Sequence, residues 1–100
     1  TIENIVIGNT KAIKERAFRT CYELKEIILP ETLERLEDRT FDSCTNLRRI
    51  TCLATTPPHA THSSFMFMFY DETTIFVPAQ SIEQYKSATG WSLFKNIKAI

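Results

Sequence analysis

Ala17-Phe18-Arg19-Thr20-Cys21-Tyr22-Glu23-Leu24-Lys25-Glu26-Ile27 and Thr40-Phe41-Asp42-Ser43-Cys44-Thr45-Asn46-Leu47-Arg48-Arg49-Ile50 are two versions of one phrase. Phe, Cys, Leu and Ile each return 23 residues later, while the residues between them change. A fixed period of that length marks coils that stack, each burying its apolar side against the next. Within the unit, Phe18, Cys21 and Leu24, like Phe41, Cys44 and Leu47, fall three apart, which predicts a short helix or tight helical turn with one inward face. The spacing then changes. Leu24-x-x-Ile27-x-Leu29 and Leu47-x-x-Ile50-x-Cys52 end in period-two alternation, which predicts a short strand buried on one side. Pro30-Glu31-Thr32 turns the chain, and Leu33 and Leu36 begin a second apolar strip.

Working outward, the strand pattern recurs as Ile5-x-Ile7, Ile27-x-Leu29, Ile50-x-Cys52 and Ile75-x-Val77, at steps of 22, 23 and 25 residues. Four parallel rungs about 4.8 Å apart are therefore expected. Phe65 is expected to take the place of Phe18 and Phe41. Thr55-Thr56-Pro57-Pro58 fits neither a helix nor a central strand and predicts a loop. After Val77-Pro78, the run Ser81-Ile82-Glu83-Gln84 fits a capping box, Ile82, Tyr85 and Ala88 share a helical face, and Gly90 is placed to end the helix. Trp91, Phe94, Ile97 and Ile100 are expected to close the open end, since an uncovered last rung exposes core and strand edge. The reading is a single domain: repeats over 1–54, an atypical last repeat with a Pro-rich loop over 55–78, and a C-terminal helical cap over 79–100. Because the chain opens inside a repeat and without an initiator Met, it is expected to be part of a longer array.

The composition is that of an ordinary globular domain, with 43% hydrophobic and 24% charged residues in 100. Twelve basic and twelve acidic residues cancel, nine of each in residues 1–50 and three of each in 51–100. Without a basic field to neutralise phosphates, nucleic acid is not an expected partner. No apolar run approaches the ~20 residues that span a bilayer, so direct membrane insertion by this segment is not expected either.

The units resemble the BspA-like leucine-rich repeats of bacterial surface proteins. Ile28-Leu29-Pro30 followed by Leu36-Glu37-Asp38-Arg39-Thr40-Phe41-Asp42-Ser43-Cys44-Thr45-Asn46-Leu47 carries the family pattern of a strand ending in Ile-Pro, then I-G-x-x-A-F-x-x-C-x-x-L. The tail is similar too, in Ala54-Thr55-Thr56-Pro57-Pro58, in Phe76-Val77-Pro78-Ala79-Gln80-Ser81-Ile82-Glu83-Gln84-Tyr85-Lys86 and in Gly90-Trp91. Residues 60–74 depart from the pattern, and Lys14 and Glu37 stand where the family usually has Gly. The resemblance implies a leucine-rich-repeat-type solenoid of short parallel strands and short helical turns. It further implies a bacterial cell-surface or secreted module for adhesion, with a host or matrix protein, or a glycan, as partner. It brings no catalytic residue and no cofactor.

The residues themselves point the same way. Three cysteines cannot all pair, and Cys21 and Cys44 occupy a repeated core position whose side chains point alike rather than at each other, which predicts free thiols. Cys52, His59 and His62 fall short of the four ligands of a structural zinc site, so no metal is expected. No Gly-rich elbow surrounds a Ser, and no enzyme is expected. Two candidate binding surfaces follow. One is the strip facing outward from the strands, Val6, Ile28, Thr51 and Phe76 with Arg49 beside it. The other lies in Met66-Phe67-Met68-Phe69-Tyr70, where Phe67 and Tyr70 are expected partly outside. The alternative function is a structural spacer or terminal cap of a repeat array, with no ligand of its own.

Overall fold

A computed structural model describes residues 3–100. The alternating stretches form strands: β1 (Asn4–Val6), β3 (Glu26–Leu29), β5 (Arg49–Cys52) and β6 (Thr74–Val77). Two-residue strands β2 (Ala12–Ile13) and β4 (Arg35–Leu36) lie between them, and helix α1 (Ile82–Ser87) and strand β7 (Asn96–Ala99) follow. Strands β1, β3, β5, β6 and β7 lie side by side in that order as one sheet, every pair parallel. The expected four rungs are thus five. The register runs Ile5, Ile27, Ile50, Ile75, Ile97, so equivalent residues stack directly. Ile27, Leu29, Ile50, Cys52, Ile75 and Val77 are fully buried. Each such aliphatic side chain contributes ~1.5–3 kcal/mol by leaving water.

The second strip that starts at Leu33 also stacks. β2 pairs in parallel with β4, Ala12 opposite Arg35 and Ile13 opposite Leu36. The Pro-rich loop continues this ladder, because the His59 carbonyl accepts the Leu36 N–H at 2.8 Å and the His59 N–H donates to Glu34.

The segments with period three are tight turns closed by i to i+3 bonds such as Cys21 N–H to the Phe18 carbonyl and Cys44 N–H to the Phe41 carbonyl. They too are joined laterally. Arg16, Phe18 and Thr20 donate backbone N–H groups to Asp38, Thr40 and Asp42, and Arg39, Phe41 and Ser43 donate to Ser63, Ser64 and Met66. Five non-glycine residues have left-handed backbone at matching positions: Arg16 and Arg39, then Thr20, Ser43 and Phe67. Four of these five, Arg16, Thr20, Arg39 and Ser43, are themselves donors to the next coil, so bonds between coils hold a conformation the side chains disfavour. Lys14 and Glu37 are not among the left-handed residues, so this backbone makes no demand for Gly there.

Inside the turns the aromatic column forms as expected. The Phe18 and Phe41 rings stack at 5.5 Å between centroids, and Phe41 and Phe65 at 5.8 Å, with nearly parallel planes in both cases. Phe65 then meets the edges of Trp91 at 5.1 Å and Phe94 at 4.9 Å, and Trp91 meets Tyr85 at 5.0 Å. Trp91 donates its indole N–H to Pro58, and the Tyr85 hydroxyl donates to Ala54, so both large buried rings have their polar atoms satisfied.

The C-terminal segment differs from expectation in detail. Ser81 does not cap α1: its buried hydroxyl donates to the Thr55 carbonyl at 2.6 Å and ties the helix to the Pro-rich loop. Ile82, Tyr85 and Ala88 do turn toward the core. The helix ends before Gly90, which opens a 3₁₀ turn at φ 83°. A Cβ there would lie 2.9 Å from both the Ala60 Cβ and the Thr61 carbonyl oxygen, so Gly permits both the backbone conformation and the contact. Ile97 is buried in β7, but Ile100 is 65% exposed and closes nothing.

Candidate functional site

Because strand side chains alternate, burying Ile27, Ile50 and Ile75 sends their neighbours outward. The outer face therefore carries two registered columns: Val6, Ile28, Thr51, Phe76 and Lys98, beside Asn4, Glu26, Arg49, Thr74 and Asn96. The strip expected from sequence is brought together, with Lys98 as a further member. Val6 is 72% exposed, while Ile28, Thr51 and Phe76 are half-buried. The Arg49 guanidinium lies 4.3 Å from the centre of the Phe76 ring and 3.2 Å from a Glu26 carboxylate oxygen. These contacts hold a cation over an aromatic face in a fixed pose, which orients both groups without filling their outer sides. Leu53 continues the ladder past β5 through its N–H to Leu29, and Ile100 does so past β7 through its N–H to Val77. Both are exposed apolar residues that the sequence reading did not place in the site. Their signal was the same alternation, two residues beyond Thr51 and Lys98.

The aromatic run splits by environment. Phe65 and Met68 are buried, whereas Phe67 is 67% and Phe69 is 52% exposed. Tyr70 is only half out: its hydroxyl donates to Phe65 at 2.8 Å, its ring meets the Phe94 edge at 5.2 Å, and burial raises its pKa. The exposed pair is therefore Phe67 with Phe69. Phe69 stands at the position of Tyr22 two coils earlier, which is exposed as well. The Arg48 guanidinium lies 5.9 Å from the Phe69 ring and pairs with Glu72 at 3.2 Å. Met68, Phe69, Tyr70, Asp71 and Glu72 line a shallow concavity of ≈ 490 Å³. Phe67 projects from left-handed backbone at φ 62°, a conformation costly for a bulky residue.

The model of the family described as "BspA type Leucine rich repeat region (6 copies)" matches residues 1–98. The chain belongs to this BspA-type leucine-rich repeat family. A comparison with curated proteins returns no match.

In this BspA-type chain the consensus Cys positions hold free thiols, Cys21 half-buried and Cys44 buried, and Cys52, which takes the strand position of Leu29, is free and buried as well. Burial pushes the Cys44 thiol up to about 12, which makes it a poor nucleophile near neutrality. Cys52 is raised by burial as well, and its sulfur lies 3.3 Å from the Tyr85 hydroxyl oxygen. Neither His59 nor His62 is buried. Among the described residues no group of three or more His, Cys, Asp or Glu could hold a metal ion. No helix among them is long and apolar enough to cross a membrane.

One further concavity, of ≈ 570 Å³, lies between Asp38, the loop 59–63, Met66 and Thr89. The Thr61 and Ser63 hydroxyls donate to the same Asp38 oxygen at 2.6 and 3.0 Å, and these two bonds lower the pKa of the carboxyl group. Its role is local: it fixes the Pro-rich loop against the preceding coil.

Proposed function

We propose that this chain is a protein-interaction module of the adhesion type, a rigid solenoid whose outer sheet face, with the Phe67 and Phe69 ridge, meets a partner protein. The single observation behind this is the registered outer column from Val6 to Lys98, with Arg49 laid over Phe76. Backbone bonds between coils set those side chains in place beforehand, so association orders little and loses less entropy. The family match supports the coarser reading, since leucine-rich repeat modules generally mediate protein interactions. Placement on a bacterial surface or in secretion follows the general habit of the family and forms part of the proposal. So do the absence of enzymatic activity and the division into repeats over 1–54, an atypical coil over 55–78 and a cap over 79–100. The test is capture of host and matrix proteins by the wild-type chain and by the Ile28→Asp, Phe76→Asp double variant. A partner retained equally by both contradicts the assignment of the face.

A second reading has its own observation. Trp91 and Phe94 set their edges against the last ring of the Phe18, Phe41, Phe65 column. An edge-on pair ends a stack of parallel rings where another coil would otherwise continue it, as a terminal cap does. This reading predicts aggregation without any lost ligand when residues 79–100 are removed.

A further inference from the structure

The consensus cysteines stack with a third sulfur that the sequence pattern does not announce. The bonds between coils that match Ser43 to Phe67 also match Cys44 to Met68, so Cys21, Cys44 and Met68 occupy one position in three successive coils. The Phe18 carbonyl accepts both the Cys44 thiol at 2.8 Å and the Cys21 N–H at 3.2 Å, which brings the Cys44 sulfur against the backbone of the Cys21 turn. We propose that Cys21 and Cys44 are the two ligands of a soft monovalent cation of the copper(I) class, with the Met68 thioether beside them. Side chains in register on parallel coils stand ~4.8 Å apart, whereas a disulfide needs Cβ atoms ~3.5–4.5 Å apart and would draw the coils together. Two metal–thiolate bonds of ~2.3 Å span ~4.6 Å, which suits the spacing as it stands.

Thiolate and thioether donors select soft ions. Two donors suffice for a two-coordinate ion, although the described residues hold no cluster of three His, Cys, Asp or Glu for a divalent one. Cys21 is half-buried and gives access, while Cys44 and Met68 are buried and exclude competing water. Binding replaces two S–H bonds with two S–metal bonds, releases two protons and leaves a complex of charge −1.

The test is an anaerobic titration of the chain with copper(I) held by a chromophoric chelator, following chelator colour and the thiolate-to-copper ultraviolet band. A single ion is expected per chain. Cys21→Ser, at a half-buried site where circular dichroism can establish that the fold persists, is expected to weaken binding at least roughly 100-fold. Met68→Leu should weaken it several-fold, and Cys52→Ser should bind like the wild type because the Cys52 sulfur lies against the Tyr85 hydroxyl. Wild-type affinity in Cys21→Ser, wild-type binding no tighter than micromolar, or a native chain lighter by two hydrogens from a Cys21–Cys44 disulfide would each overturn the site.

Discussion

Replacing Phe41 with Ala removes the middle ring of the aromatic column. Phe41 is fully buried and has a stacked neighbour on each side, at 5.5 and 5.8 Å. The coils above and below are tied by backbone bonds through Phe18, Thr20, Phe41 and Ser43, so they cannot close over the gap. A ring lost from such a site costs ~3–5 kcal/mol, from a total of ~5–15 kcal/mol for a domain of this kind. At ~4–8 °C per kcal/mol, the midpoint of thermal unfolding should fall by roughly 12–40 °C. Phe18→Ala is the internal control: half-buried and stacked on one side only, it should cost about half as much. Urea melts of both variants, with unchanged slope, measure the two costs on one scale. A Phe41→Ala loss under ~1 kcal/mol, or equal losses at Phe18 and Phe41, would refute the packing argument.

Other expectations concern single groups. Phe67→Asn keeps a residue that tolerates left-handed backbone, so stability should hold or rise by ~1 kcal/mol in urea melts while partner capture falls. Gly90→Ala forces both a left-handed backbone and a 2.9 Å contact, and a loss of ~1–3 kcal/mol is expected in the same assay. Asp38 has a folded pKa below its ordinary value, so the stability it contributes is present above that ordinary value of 3.8 and is lost as pH falls through the lower folded one. Thr61→Ala with Ser63→Ala should move the NMR titration of Asp38 back upward. The Cys44 pKa is raised from 9.0 to about 12, so its stabilising effect is complete below pH 9 and is lost as pH rises toward 12. Iodoacetamide at pH 8 should accordingly label Cys21 first and spare Cys44 and Cys52; faster labelling of Cys44 contradicts its burial.

Much of the fold was legible because the period sets both the stack and its register. Once Ile27 and Ile50 are equivalent, Ile28 must lie beside Thr51 and Glu26 beside Arg49. The fifth strand was missed although Ile97 follows Ile75 by 22 residues, because Asn96-Ile97-Lys98-Ala99 lacks the second inward apolar residue of the other rungs. Strands β2 and β4 are too short to alternate, and only bonds between coils define them. Ser81 reads locally as a cap, but the nearby Thr55 carbonyl takes its hydroxyl. The left-handed residues had no signal at all, since none is Gly or Asn and the neighbouring coil imposes their conformation. In the candidate site the outer column was legible by alternation, whereas the choice of Phe69 over Tyr70 as the exposed aromatic depended on how Phe94 folds back.

The central claim is that residues one period apart lie directly over one another. Nuclear Overhauser measurements on a sample labelled at the Phe rings test it most directly. The account predicts contacts from Phe18 to Phe41, from Phe41 to Phe65 and from Phe65 to Phe94, with none between Phe18 and Phe65. Phe18 and Phe65 in contact, or Phe41 without either stacked neighbour, would contradict the stack and the binding face built on it.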